Sequence, residues 1–385
     1  MTGPTGDRTL GVGAARVDGE LVPGDVSIGA DGRIAAVGLG TGGGRGHVAI
    51  PGLVDLQVNG FAGVDLRRTD LAGYRVAGEA LAAHGATAVQ PTFFGLSLDR
   101  YVGALDVLAE VAADQQAGLA AGSLRGCRFL PAHLEGPFLN STFKGAHDER
   151  TFLPPSTDAA DRLLATGQVG FMTVAPELPG GIELVRHLAA NGVVVSIGHS
   201  DADVEATLAA VDAGARHLTH CWNAHRRLTS RDPGPAAVAL SRPDLVVGLI
   251  PDGVHVADEV LRLTLHAAAG RVAATTDCIP PAGLASLDEW EEEPGMTVTV
   301  RGGRATLADG TLAGSVATPD QVLRHLVGLG LELPEAVDAC GGVQRRLLGL
   351  AEVRLRPGDV ADVAVLDDGL RPVRTLVAGH EVFAA

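Results

Sequence analysis

Cysteine, aromatic residues and basic charge are all scarce in this chain of 385 residues. Its four cysteines lie far apart and form no C-x-x-C pair. This spacing argues against a disulfide framework and against a cysteine-based structural zinc site. Aromatic residues make up only 3% of the chain, so a large core has to be built mainly from Ala, Val and Leu.

Basic residues are outnumbered by acidic ones, 30 to 46, which gives a formal net charge of −16 with histidine neutral. This balance argues against nucleic acid and an anionic membrane surface as partners, because both attract basic protein surface. No uncharged apolar run is long enough to predict a membrane-spanning helix. The segment MTGPTGDRTL also lacks the apolar region of a secretory signal. We therefore expect a cytoplasmic protein with a small-molecule ligand.

Apolar residues are plentiful, at 46%, and they recur in eight short strand-like segments. The segments are AIPGLVDLQVNG, ATAVQPTFF, CRFLPAHLEGP, VGFMTVAPE, GVVVSIGHS, ARHLTHCWNA, LVVGLIPDGVH and RVAATTDCIP. Stretches between them, such as ADVEATLAAVDAG, have apolar residues at helical spacing and end in glycine. Repeated alternation of strand and helix predicts an α/β fold, a (β/α)8 TIM-like barrel.

Both ends of the chain carry further short strand-like segments. Asp31-Gly32 lies between two apolar runs, which predicts a β-hairpin. The last 30 or so residues again show short alternating runs of apolar and polar residues. We therefore expect a small β-sandwich domain formed from residues 1–50 and 355–385, with the barrel at residues 51–354.

Polar side chains follow the predicted barrel strands, where barrel enzymes place their active sites. Glu135, His199 and His220 follow the third, fifth and sixth strands. One carboxylate and two imidazoles can bind catalytic zinc and leave a coordination position for water. Asp277 follows the eighth strand, where a carboxylate can accept a proton from that water and pass it to a leaving amine. The alternatives are ordinary structural histidines and a helix N-cap at Asp277.

Several segments together resemble one enzyme family. They are PGLVDLQVNG, HLEGPFLN with KGAH, GHSDA, TH-x-x-NA, SRDPG, PDGVH, TDCIPPAG and LAGS, between residue 51 and about residue 315. These segments are similar to those of the N-acetylglucosamine-6-phosphate deacetylase family, in the amidohydrolase superfamily. The resemblance implies a metal-dependent hydrolase that releases acetate from an amino-sugar phosphate in the cytoplasm, and a homodimer.

The resemblance also implies a role for each matching position. Glu135, His199 and His220 would hold one divalent metal ion per subunit, zinc first, with iron, cobalt or manganese as alternatives. Asp277 would act as general base and then acid beside a metal-bound hydroxide, and His147 would polarise the amide carbonyl. The implied substrate-binding residues are Ala146, His147, Asn223, Ala224, Arg231, Asp252, His255, Leu312, Ala313 and Gly314. Among them, Arg231 would bind phosphate, reaching into a neighbouring subunit's site in the implied homodimer.

Gln57 and Asn59 stand on the first strand, where many amidohydrolases carry two histidines that help to bind a second metal ion. Neutral amide oxygens are weaker ligands for a transition metal than imidazole nitrogens. We therefore expect both amides to line the pocket, outside the coordination of a single metal ion.

The chain departs from the family pattern at two places. His225-Arg226-Arg227 follows NA, where Met is expected, and we interpret His225 as solvated or substrate-facing rather than as an extra ligand. The segment ACGGVQRRLLGL also differs, and we expect it to be structural. Two other functions remain open. One is a hydrolase for a galactosamine isomer or an unphosphorylated N-acyl compound, and the other is a catalytically silent sugar-phosphate-binding protein.

Overall fold

A computed structural model describes residues 7–40, 46–285, 289–293 and 296–385. Its strands are β1 (Arg8–Thr9), β2 (Ala14–Val17), β3 (Glu20–Pro23), β4 (Asp25–Ile28), β5 (Ile34–Leu39), β6 (Val48–Pro51), β7 (Leu53–Val58), β8 (Gly60–Phe61), β9 (Val64–Asp65), β10 (Ala86–Phe93), β11 (Arg128–Phe129), β12 (Ala132–Glu135), β13 (Val169–Val174), β14 (Val194–Ile197), β15 (Ala215–Leu218), β16 (Val246–Leu249), β17 (Val272–Ala274), β18 (Glu289–Glu293), β19 (Met296–Arg301), β20 (Arg304–Thr306), β21 (Val363–Leu366), β22 (Pro372–Val377) and β23 (His380–Ala384). Its helices are α1 (Leu71–Ala83), α2 (Leu98–Ala121), α3 (Thr157–Leu164), α4 (Gly181–Ala190), α5 (Val204–Ala213), α6 (Gly234–Ser241), α7 (Asp258–Ala267), α8 (Pro319–Gly328), α9 (Leu333–Val337) and α10 (Val343–Leu347).

A parallel barrel forms the centre of the molecule, as the sequence predicts. Its neighbouring strands are β7, β10, β12, β13, β14, β15, β16 and β17, in that order. A parallel bridge between Val58 and Cys278 brings the first strand beside the segment after the eighth. The Asn59 N–H also donates to the Cys278 carbonyl at 2.8 Å. These contacts nearly close the barrel.

A buried carboxylate strengthens this closure. Asp55, on β7, accepts hydrogen bonds from the Thr276 N–H at 3.0 Å and the Thr276 hydroxyl at 2.6 Å, and also from the Thr275 hydroxyl. Burial raises the pKa of the Asp55 carboxyl, while the hydrogen bonds from the two threonines oppose that rise. The first strand is therefore fastened to the end of the eighth by side chains as well as by backbone.

The helices cover the outside of the barrel with apolar faces and have recognisable ends. Helix α2 buries Tyr101, Leu105 and Leu108, and it ends at Gly122, whose φ of 66° suits a residue without a Cβ. Helix α5 begins at the N-cap Asp203, whose carboxylate accepts a hydrogen bond from the Ala206 N–H. Within the described ranges, no helix is both long and apolar enough to cross a membrane.

Both ends of the chain form sheets that share a second core, as predicted. One sheet has the order β23-β22-β21-β6-β2-β3, and the other has the order β1-β4-β5. The antiparallel pairing of β4 and β5 confirms the hairpin expected at Asp31-Gly32. Leu10, Val26, Val363 and Leu376 are among the buried residues of this core. The domain boundaries at 1–50, 51–354 and 355–385 stay a prediction, and residues 1–6 and 41–45 lie outside the described ranges.

A separate antiparallel sheet, of order β18-β19-β20, comes between the eighth barrel strand and α8 in the chain. Val298 and Ala305 of this sheet pack against Ile279, which precedes the sheet in the chain, and Ala313, which follows it. The sheet therefore backs one wall of the cavity described below.

Candidate metal centre and active-site cavity

Three predicted metal ligands meet at the carboxyl ends of the barrel strands. Glu135 is the last residue of β12, and His199 and His220 stand two residues beyond β14 and β15. One ligand atom from each residue lies within 4.8 Å of the others, and all three residues are buried. The barrel therefore brings together side chains that are 64 and 85 residues apart in the chain.

The donor atoms of this cluster fit a divalent cation. His199 Nδ1 lies 2.8 Å from the Phe143 carbonyl oxygen, and His220 Nδ1 lies 3.1 Å from the Asn223 carbonyl oxygen. Each Nδ1 therefore donates its hydrogen, and the Nε2 atom of a neutral ring offers a lone pair. The two Nε2 atoms are 3.2 Å apart and lie 3.1 and 2.8 Å from Glu135 Oε1. Lone pairs and a carboxylate converging in this way repel each other unless a cation lies between them.

The electrostatics of Glu135 agree with a cation site. Burial acts to raise the pKa of its carboxyl, but the three imidazoles around it, those of His147, His199 and His220, outweigh burial and hold the pKa well below its ordinary value. The carboxylate is therefore negatively charged at neutral pH.

The backbone at this end of the barrel is strained. His199, His220 and Asp277 have φ values of 48°, 29° and 50°, in the left-handed region that residues with a Cβ seldom adopt. Each such residue costs about 1–3 kcal/mol, and such strain clusters at functional sites. Each of these three residues lies two or three positions beyond the end of a barrel strand, and the strained backbone turns its polar side chain into the space above the barrel.

Asp277 is buried beside the ligand cluster, and its Oδ1 accepts a 2.8 Å hydrogen bond from Asn59 Nδ2. Burial raises the pKa of the Asp277 carboxyl, and the negative charge of Glu135 raises it further. A carboxyl with a raised pKa exchanges its proton near neutral pH, which suits a general base that also acts as an acid.

His147 completes the cluster from a loop. Its Nε2 lies 3.6 Å from Glu135 Oε2, and its ring lies 4.5 Å from the His199 ring and 5.0 Å from the Phe94 ring, centroid to centroid. Two residues earlier, Gly145 has a φ of 56°, and an added Cβ would come within 3.3 Å of His199 Cε1. The sequence K-G-A-H thus needs its glycine for the close approach of this loop to the cluster.

A cavity of about 370 Å³ opens above these groups. Most of the predicted site residues line it: Asn59, Glu135, Ala146, His147, His199, His220, Asn223, Ala224, His255, Asp277, Leu312, Ala313 and Gly314. Such a volume suits a small ligand. The structure therefore gathers the predicted catalytic, metal-binding and acetyl-pocket positions around one space.

Three predicted residues lie elsewhere. Gln57 is buried outside the cavity lining, and its amide nitrogen has no hydrogen-bond partner among the described residues. Asp252 does not line the cavity, but its Oδ2 lies 2.7 Å from Nδ1 of the lining residue His255, so it orients that ring. Arg231 is exposed and does not belong to the cavity lining of this chain.

Several lining residues were not predicted from the sequence: Phe94, Thr142, Phe143, Gly145, Ile250, Ile279 and Thr311. Phe94 and Ile250 directly follow β10 and β16. Their positions at strand ends could have identified them, but apolar side chains at strand ends do not by themselves suggest chemistry. Phe143 contributes its carbonyl to His199, and a backbone role of this kind leaves no signal in the residue type.

The interpretation of His225 as solvated or substrate-facing is wrong. The residue is buried outside the cavity lining, its ring lies 5.8 Å from the His220 ring, and its Nε2 lies 2.7 Å from the Thr219 carbonyl oxygen. Burial lowers the pKa of His225 to about 3, so its ring is neutral. Arg226 is paired with Asp232 at 2.9 Å, and Arg227 is exposed.

No protein-family model matches the chain. The chain is 34% identical over 362 residues to the N-acetylglucosamine-6-phosphate deacetylase of Homo sapiens, covering 88% of this chain and 84% of that protein. It is 32% identical over 335 residues to an N-acetylgalactosamine-6-phosphate deacetylase of Escherichia coli O157:H7, covering 86% of each.

Solved structures agree with these relatives. A mutant N-acetyl-D-glucosamine-6-phosphate deacetylase from Mycobacterium smegmatis, in complex with N-acetyl-D-glucosamine-6-phosphate, superposes with a TM-score of 0.87 at 31% identity, over 98% of this chain and 100% of that one. These proteins share more than 30% of their residues with this chain over most of its length, and the solved structure has the same fold. The chain therefore belongs to the N-acetylglucosamine-6-phosphate deacetylase family of the amidohydrolase superfamily.

Proposed function

We propose that the chain hydrolyses the acetamide of N-acetylglucosamine 6-phosphate to glucosamine 6-phosphate and acetate. The observation that carries this proposal is the single cavity that joins the Glu135-His199-His220 cluster to Asp277 and His147. Amide hydrolysis needs an activated water, a group that polarises the carbonyl and a proton for the leaving amine. Each of these needs has a candidate residue or ligand set in this cavity.

Glu135, His199 and His220 would hold one divalent metal ion per subunit, and we propose zinc. Such an ion makes bound water more acidic and polarises a carbonyl oxygen. A second ion has no comparable ligand set on the first strand. There the Asn59 amide nitrogen already donates to Asp277, and Gln57 lies outside the cavity lining.

The remaining side chains of the cavity have separate roles in the reaction. Asp277, fixed by Asn59, accepts a proton from the attacking water and then gives it to the departing amine. His147 faces the cavity and supports the developing negative charge on the carbonyl oxygen. Leu312, Ala313 and Gly314 provide a small wall for the acetyl methyl, and His255, held by Asp252, is positioned to contact the sugar.

We further propose that Arg231 binds the substrate phosphate across the interface of a homodimer. Its exposure supports this role, because the residue lies outside the cavity of its own chain. A planar guanidinium can donate two hydrogen bonds to a phosphate. A cytoplasmic location is part of the proposal, supported by four buried free cysteines.

A turnover panel tests the proposed substrate. Metal-loaded protein is assayed for acetate release from the gluco and galacto isomers of the N-acetyl amino sugar, each with and without the 6-phosphate. We expect the highest kcat/KM with N-acetylglucosamine 6-phosphate and a large loss without phosphate. A preference for the galacto isomer would overturn the proposed sugar, and equal rates without phosphate would overturn the role of Arg231.

A further inference from the structure

A second cavity, of about 710 Å³, lies at the opposite end of the barrel from the metal cluster. Val272, at the start of β17, lines this cavity, whereas Asp277, beyond the end of the same strand, lines the active-site cavity. Its walls come from the end of α7, the segment that joins α8 to α9, the π-helical turn Asp338–Gly342 and the turn between β2 and β3. The cavity thus lies between the barrel and the terminal sheets, and the proposed deacetylation does not use it.

Three of the four acidic residues of this cavity are already paired with arginines, and the fourth, Glu335, accepts a hydrogen bond from the Glu332 N–H. Asp338 accepts two hydrogen bonds from Arg346, at 3.0 and 2.8 Å. Glu352 forms an ion pair with Arg354, and Asp18 accepts a hydrogen bond from Arg356 at 2.5 Å. The negative charge of the three carboxylates Asp338, Glu352 and Asp18 is therefore largely neutralised by their own partners.

Arg16 lines the same cavity, and no carboxylate of the described residues lies close to its guanidinium. The residue is only 8% exposed, and its Nε is buried without a hydrogen-bond partner among the described residues. Within the described ranges, Asp338 is the only carboxylate that forms an ion pair with the guanidinium, and the two groups are 4.0 Å apart. Burial lowers the pKa of Arg16, and Asp338 only partly opposes this. A buried charge with so little compensation is costly unless an anion approaches it.

We propose that this cavity binds a small molecule through a phosphate or carboxylate group placed against the Arg16 guanidinium. A guanidinium fork matches two oxygens of such a group, and a largely buried site strengthens the interaction. Leu265, Leu329 and Val353 supply apolar walls for the uncharged part of the ligand. The site is separate from the deacetylase centre and does not depend on the proposed substrate.

Tungstate, an electron-dense oxyanion, locates the site directly in the wild-type chain. Crystals of the metal-loaded protein are soaked in sodium tungstate, and an anomalous difference map is calculated. We expect a peak within hydrogen-bond distance of Arg16. A map with peaks elsewhere but none in this cavity would overturn the proposal.

Calorimetric titration then tests binding in solution, with inorganic phosphate and an organic carboxylate, succinate, as separate probes. Arg16→Gln should raise the dissociation constant of the bound probe at least about tenfold, because it removes charge-assisted hydrogen bonds. Arg16→Lys, which keeps the charge but loses the fork, should give an intermediate loss. The probe with the lower dissociation constant shows whether the site prefers phosphate or carboxylate.

Two control variants separate this site from others. Arg231→Gln removes the arginine proposed for the active site, and Arg242→Gln removes an exposed arginine that is paired with Asp244. Both should keep the binding that Arg16→Gln loses. If neither probe binds the wild-type protein, or if Arg16→Gln binds as tightly as wild type, the proposal is wrong, whatever the deacetylase assay shows.

Discussion

Asp277 is the residue whose chemistry depends most on its surroundings. It is buried, accepts a hydrogen bond from Asn59 at 2.8 Å, and has a raised pKa because of burial and the nearby Glu135. Asp277→Asn should keep the metal content of wild type but lower kcat by about 10²–10⁴-fold, the usual contribution of general acid–base catalysis. Steady-state kinetics with metal analysis of the same samples measures both quantities. Near-normal turnover would remove Asp277 from the proton-transfer role.

His225 allows a second test at this scale. A Met of similar size would lose the hydrogen bond to the Thr219 carbonyl, but it would also remove Nδ1, which is buried without a partner among the described residues. The two effects are each about 1 kcal/mol and opposite in sign. His225→Met should therefore leave the melting temperature, metal content and KM close to wild type.

His225→Ala is the matched variant, because it leaves a cavity behind His220 and should lower the melting temperature by several degrees. If His225→Met lost its metal or raised KM more than about tenfold, a value that corresponds to 1.4 kcal/mol, His225 would be a ligand or a substrate contact after all.

At the residue scale, the sequence predicts the site where polar side chains follow barrel strands. Glu135, His199, His220 and Asp277 were found in this way, and they meet as expected. His225 could not be placed from the sequence, because its burial depends on how the loop after β15 folds back against Ser200. Backbone contributions, such as the Phe143 carbonyl that accepts a hydrogen bond from His199, cannot be predicted from the residue type.

Helix α8 carries a prediction at the scale of elements. Asp320, in its first turn, lies 2.8 Å from Nδ1 of His84 at the end of α1 and accepts a hydrogen bond from Arg324 at 2.5 Å. Although burial acts to raise it, these contacts lower the pKa of Asp320 to about 2. Because the pKa in the folded state lies below the unfolded value of 3.8, the carboxylate stabilises the fold fully above pH 3.8 and loses this effect as the pH falls towards 2.

Asp320→Asn should therefore lower the free energy of unfolding by about 2 kcal/mol at pH 7, with a smaller difference from wild type at pH 3. Urea unfolding at the two pH values measures this difference. Asp99→Asn is the control, because Asp99 is an exposed partner of Arg162 and should contribute little. An Asp320 effect that is equal at both pH values would contradict the assigned charge state.

Some strands and turns of the fold can be predicted from the sequence pattern, and others cannot. The eight barrel strands were predicted because each is a short apolar run bounded by turn residues and helical stretches. The sheet β18-β19-β20 was not predicted from the sequence; its strands β19 and β20 each bury only one side chain, Val298 and Ala305. The π-helical turn Asp338–Gly342 covers the start of the segment ACGGVQRRLLGL and the residue before it. Its conformation depends on tertiary packing, which the sequence pattern does not show. There Gln344 donates to the Ala274 and Ala339 carbonyls at 2.8 and 2.6 Å.

At the scale of the whole molecule, one buried carboxylate, paired with two arginines, joins the barrel to the terminal sheets. Asp362, directly before β21, accepts a hydrogen bond from Arg345 at 2.9 Å and is also paired with Arg128. Its side chain is 1% exposed. Asp362→Ala should destabilise the protein by about 3–5 kcal/mol, because it leaves two largely buried guanidinium groups without their counter-ion.

Thermal unfolding of Asp362→Ala beside Asp244→Ala measures this effect, since Asp244 forms an exposed pair with Arg242. Melting temperatures that are equal for the two variants would show that the Asp362 ion pair does not connect the two parts of the molecule.

The central claim is that Glu135, His199 and His220 hold one metal ion that deacetylation requires. It is tested most directly by adding zinc stepwise to chelator-treated protein and measuring acetate release from N-acetylglucosamine 6-phosphate. Acetate release should be absent without metal, rise linearly and reach its plateau at about one zinc per subunit, since only one strong ligand set is present among the described residues. Activity that continues to rise to two equivalents, or full activity in the metal-free protein, would contradict the account.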